Sequence, residues 1–125
     1  MMESVIESSQ SHAEICFQFE ALAQRLGLSV LAVHDLGENR GAHGRGLDEA
    51  SVLYSLVSWP VVDVLLAHDP SLTRCLPWRC AVYTRCGASW LAFQSPQLPP
   101  DLPHALSESA AGVSSKLQQL ANALR

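Results

Sequence analysis

The chain has little charge. Asp, Glu, Lys and Arg make up 16% of its 125 residues, and the 12 acids outnumber the 8 bases, for a formal net charge of −4. Arg25, Arg40, Arg45, Arg74, Arg79 and Arg85 are scattered, so no basic run forms. Proteins that track a phosphate backbone gather their cations into a stripe, so nucleic acid is not an expected partner. Long apolar runs are missing as well. No stretch approaches the ~20 residues that span a bilayer, which removes the membrane as a partner. Met1-Met2-Glu3-Ser4-Val5 carries neither the basic start nor the apolar run of a secretory signal. The expected compartment is the cytoplasm, where Cys16, Cys75, Cys80 and Cys86 stay reduced. Four cysteines are too few for a disulfide scaffold.

Motifs that spell out a reaction are missing too. The glycine-rich stretch Gly41-Ala42-His43-Gly44-Arg45-Gly46 has no following Lys-Ser/Thr and does not join a strand to a helix. It is therefore no phosphate cradle. Cys75, Cys80 and Cys86 are separated by four and then five intervening residues, whereas structural zinc sites use tighter Cys pairs. No Ser-His-Asp set and no paired carboxylates stand out.

What is present is a regular alternation of elements. Residues 3–8 alternate weakly and suit a first strand. Ser11, with Glu14 three positions on, forms a capping box. Ile15, Phe19, Leu22 and Leu26 then recur at helical spacing before a stop at Gly27. Residues 28–36 read as a strand, and 37–49, with four glycines, as a flexible surface loop. Residues 50–59 are a buried strand, and Pro60 opens a short helix over 61–68 at a position where proline is tolerated. His68-Asp69-Pro70 turns the chain. Residues 79–85 and 89–94 form a hairpin about Cys86-Gly87-Ala88. A proline-rich connector, 96–104, leads to a last amphipathic helix on Leu106, Ala110, Val113, Leu117, Leu120 and Leu124. The order β-α-β-β-α-β-β-α predicts one α+β domain over 1–125, with helices on one face of a mainly antiparallel sheet. The other face is left for the long loop or another subunit to cover.

Three stretches carry a family resemblance. The helix end 19–27 runs into Leu28-Ser29-Val30-Leu31-Ala32-Val33-His34-Asp35; an apolar strand ends in Trp59-Pro60; and a helix closing in Asp69-Pro70 precedes Leu76-Pro77-Trp78-Arg79-Cys80-Ala81-Val82-Tyr83. In this the chain resembles the "domain of unknown function 302" family of small prokaryotic proteins. The resemblance implies a TATA-binding-protein-like α+β fold and a homodimer, and it brings no agreed activity. The family's frequent asparagine before the strand-end proline is Trp59 here, so no polar role carries over at that spot. No catalytic residue is assigned by the resemblance.

The residues themselves offer three sets of candidates. Cys75, Cys80 and Cys86 each adjoin an arginine, and cations favour the reactive thiolate; against this, neighbours on a strand face opposite ways. His34 ends the strand before the glycine-rich loop and His43 lies within it, and a histidine on such a loop could meet heme or a metal when the loop closes. Trp59, Trp78 and Trp90 either pack the sheet or line a pocket for a flat ligand, and a buried indole needs an acceptor. The leading expectation is a non-enzymatic, homodimeric domain that binds a small molecule through His34, Arg40, His43, Trp59, Trp78 and Cys80. The cofactor is unknown. The alternative is a thiol-dependent redox or sulfur-transfer protein on Cys75, Cys80 or Cys86, or a heme- or metal-binding protein.

Overall fold

The computed structural model describes residues 3–37 and 49–125. Strand β1 (Glu3–Ser8) leads through helix α1 (His12–Arg25) to β2 (Ser29–Asp35). After β3 (Ser51–Val57) come α2 (Trp59–His68), a 3-10 helix (Pro70–Cys75), β4 (Trp78–Arg85), β5 (Ala88–Gln94) and α3 (His104–Leu124). The five strands form one sheet in the order β1-β5-β4-β3-β2, and every neighbouring pair is antiparallel. This is the expected α+β architecture. Loop residues 38–48, including Arg40 and His43, lie outside the described residues.

Local chemistry sets the element ends. The Ser11 hydroxyl accepts from the Glu14 amide at 3.1 Å, and the Glu14 carboxylate accepts from the Ser11 amide at 3.1 Å. Two of the helix's orphan N–H donors are thereby satisfied. Helix α2 starts at Trp59, earlier than the sequence pattern suggests, with Ser58 as its N-cap and Pro60 in its first turn, where the missing N–H costs no helical hydrogen bond. The Asp69 carboxylate accepts from the Ser71 amide at 2.9 Å and turns the expected simple break into a 3-10 helix. The β4–β5 hairpin closes through Cys86 (φ 53) and Gly87 (φ 80). Two successive positive φ values match the twist of the flanking strands, as in a type I′ turn.

Strand alternation sorts the side chains. Val52, Tyr54 and Leu56 on β3, Trp78, Cys80 and Val82 on β4, and Leu91 and Phe93 on β5 are buried and share one face. Against that face pack Ile15, Phe19 and Ala23 of α1 and the apolar stripe of α3. The last turn of α3 is tied down by the other end of the chain. Ser8 donates to the Leu124 carbonyl at 2.7 Å, the Ser9 amide to the Arg125 carbonyl at 2.8 Å, and the Gln10 side chain to the Leu124 carbonyl at 3.1 Å. Carbonyls that a helix terminus leaves unpaired thus find donors in the β1–α1 junction. No helix among the described residues is long and apolar enough to cross a membrane.

Candidate functional site

Among the described residues, no helix packs on the opposite face of the sheet. Its residues follow from register. Glu7, Trp90, Tyr83 and Ser51 form one row across the strands; Val5, Ala92, Ala81, Leu53 and His34 form the next; Gln94, Arg79, Ser55 and Ala32 form the third. The middle row is apolar apart from His34 at its edge, and its centre is small. Ala81 and Ala92 make the floor of a shallow saddle of about 270 Å³, with Val5 and Leu53 on its flanks and Arg79 and Gln94 at one end. Val5 is 61% exposed, unusual for a valine in a strand.

Arg79 and Gln94 also belong to a second hollow around the end of the sheet. This cleft, about 410 Å³, is lined by Arg74, Cys75, Pro77, Trp78, Arg79, Gln94, Ser95 and Gln97. Its two formal charges are both positive, and no carboxylate lines it. Arg74 is held by the 3-10 helix: its Nη1 donates to the Ser71 carbonyl at 2.8 Å and to the Ser71 hydroxyl at 2.9 Å. Its nearby acid is Asp69, outside the cleft, whose carboxyl is held below the usual range mainly by hydrogen bonds from Ser71, with Arg74 adding a smaller attraction. Arg79 makes no ion pair among the described residues. A larger groove of about 710 Å³ lies between the proline-rich connector and α3, but no charged residue lines it.

The residues singled out by sequence do not assemble into one site. Trp78 and Cys80 lie on the helix-covered face and are 4% and 3% exposed, so neither belongs to the open face. Burial pushes the Cys80 thiol up to about 12, away from the thiolate that redox chemistry requires. Trp59 projects from the first turn of α2 and is half exposed. His34 sits on the open face, on the edge strand opposite Leu53. Cys86 occupies the hairpin turn, exposed, and does not share a strand face with Cys80. Cys75, half-buried, is the thiol that reaches the arginine cleft. Among the described residues no three His, Cys, Asp or Glu side chains come together as metal ligands.

Strand parity carried a signal that residue identity obscured. Once Trp78, Cys80 and Val82 are assigned to the core, Arg79, Ala81 and Tyr83 must face the other way. Trp90, cross-strand from Tyr83, is therefore the indole of the open face. The indole nitrogens of Trp78 and Trp90 are both buried and have no hydrogen-bond partner among the described residues.

Comparison with known proteins fixes the family and no activity. No curated protein matches the chain. The crystal structure of an uncharacterized conserved DUF302 protein from Bacillus stearothermophilus superposes with a TM-score of 0.86 at 19% identity, covering 100% of this chain and 99% of that one. At that identity the likeness is one of fold. The family model for the domain of unknown function DUF302 matches residues 5–124, and the chain belongs to that family.

Proposed function

We propose that the chain is a homodimeric binding or accessory protein, in which a second copy covers the open sheet face and a small ligand occupies the cleft at its rim. The observation that carries this is the middle row of the uncovered face. Val5, Ala92, Ala81 and Leu53 are apolar, and the small alanines sit at its centre. A C2 interface sets one patch against itself. A two-fold axis along that row places each of these residues against the same row of the partner.

Native mass spectrometry of freshly isolated protein tests both parts in one spectrum. The expected species has twice the 13.6 kDa chain mass and retains additional small-molecule mass. A bare single chain at micromolar concentration contradicts the proposal.

Cys75 supports a second function, thiol chemistry, because it alone among the three candidate thiols lines the cleft that holds two arginines. Alkylation followed by peptide mapping separates the two. Thiol chemistry requires Cys75 to react faster than a model thiol near neutral pH, and a rate at or below the model thiol's removes it.

A further inference from the structure

We infer that the cleft between the 3-10 helix and the β5 end is a binding site for a small oxyanion, a compact molecule presenting a carboxylate or a phosphate group. The inference rests on the ligand-binding proposal above and names the chemical class of its ligand. Four observations support it.

The first is charge. In a chain with a net charge of −4, this cleft is lined by two arginines and no acid. The second is donor type. Guanidinium presents a planar fork of N–H donors that fits a carboxylate or phosphate edge, which an ammonium does not. Third, Arg74 is positioned before any ligand arrives. Its hydrogen bonds to the Ser71 carbonyl and hydroxyl both use Nη1, which keeps Nη2 and Nε as donors for a ligand. A head group already fixed loses less side-chain entropy on binding. Fourth, the rest of the lining is neutral and polar: Gln94, Ser95 and Gln97 supply amide and hydroxyl groups, and Trp78 supplies an apolar wall. Such a mix of few charges, several orienting polar groups and one aromatic surface is what small-molecule sites use.

The larger groove beside α3 has shape but no charge to orient a ligand. The saddle on the open face has a single cation, Arg79, which it shares with the cleft. Arg79 thus places the bound oxyanion at the border of the face assigned to the second copy.

The test is a titration of the 15N-labelled full chain, followed by amide and indole resonances at constant ionic strength. The probes are inorganic phosphate in one arm, and acetate and pyruvate in the other. Saturable shifts are expected at the Trp78 indole, the Arg79 amide and the side-chain amides of Gln94 and Gln97. Saturation by phosphate alone assigns a phosphate ligand, and saturation by the carboxylates alone assigns a carboxylate. Arg79→Gln and Arg74→Gln are each expected to weaken binding about tenfold or more, while Arg25→Gln, at the exposed end of α1, leaves it unchanged. Arg79→Lys, which keeps the charge and loses the fork, falls between.

Shifts that never saturate, or that persist equally in Arg79→Gln and Arg74→Gln, overturn the site. The rotational correlation time of the same samples reports the assembly separately. Arginine-dependent binding to a single-chain particle refutes the dimer alone, whereas a two-chain particle with no saturable binding refutes the oxyanion site alone.

Discussion

Ala81 and Ala92 stand directly opposite each other in the β4–β5 ladder, at the middle of the sheet face that no helix among the described residues covers. Both are only partly buried. Two methyl side chains at the centre of a sheet leave the backbone open to close approach, and Val5 and Leu53 continue the apolar row on either side. On the proposed homodimer this pair lies at the centre of the interface.

A charge placed there has a direct consequence. Ala92→Arg buries an unpaired cation between the two copies, a situation that burial strongly penalises. The dimer dissociation constant is expected to rise at least about tenfold, equivalent to about 1.4 kcal/mol, while the circular dichroism spectrum of the single chain stays that of the wild type. Sedimentation velocity over a concentration series measures the change. Unaltered association would mean that the copies meet elsewhere.

The helix-covered face makes a separate prediction. The rings of Phe19 and Tyr54 stack with centroids 3.7 Å apart and planes 13° from parallel, joining α1 to β3. Phe19 is fully buried. Phe19→Ala leaves a cavity under the sheet and should cost about 3–5 kcal/mol of stability, read from urea unfolding midpoints at constant slope. A loss below about 1 kcal/mol would show that the site collapses around the truncation.

Alkaline pH should destabilise the fold. Burial raises the Cys80 thiol from 9.0 to about 12. Tyr54 is also raised above its ordinary 10.0, first by burial and then by its hydrogen bond with Cys16. A raised folded-state pKa means that the native chain holds its proton where the unfolded chain has released it. The stability contributed by the neutral thiol is thus fully present below pH 9 and is lost as pH rises toward about 12. Unfolding midpoints are expected to fall steadily across this window. In Cys80→Ala, after its lower starting stability is allowed for, the decline is shallower. Parallel declines in the two proteins would contradict the assignment to Cys80.

The tie between the chain ends gives a smaller effect. Ser8→Ala removes one of two donors to the Leu124 carbonyl, the Gln10 side chain being the other, and should cost about 0.5–1.5 kcal/mol, the net worth of one hydrogen bond. Amide hydrogen exchange should quicken in the last turn of α3 before it does so in the sheet. Unchanged exchange there would assign the hold on α3 to its apolar stripe alone.

Much of this architecture was legible in the residues because local signals agreed with the global fold. Ser11 and Glu14 announced α1, the four-and-three repeat from Leu106 to Leu124 announced α3, and the hairpin spacing about Cys86-Gly87-Ala88 marked β4 and β5. The candidate site was less legible. Trp78 and Cys80 drew attention as rare residues, yet rarity carries no direction, and both turned toward the helices. Arg79 and Ala81, their unremarkable neighbours, face the other way. Arg74 and Arg79 meet in one cleft only because the 3-10 helix folds back beside the start of β4. Such a meeting depends on the three-dimensional path between Pro70 and Trp78, and no spacing rule encodes it.

The most direct test of the central claim is an isotope-filtered nuclear Overhauser experiment on a mixture of labelled and unlabelled protein. It reports which methyl groups touch a second copy of the chain. Cross-protomer signals are predicted at the methyls of Val5, Leu53, Ala81 and Ala92. Their absence from those four, or their appearance instead around Leu31 and Val33 on the β2 edge, would contradict the account.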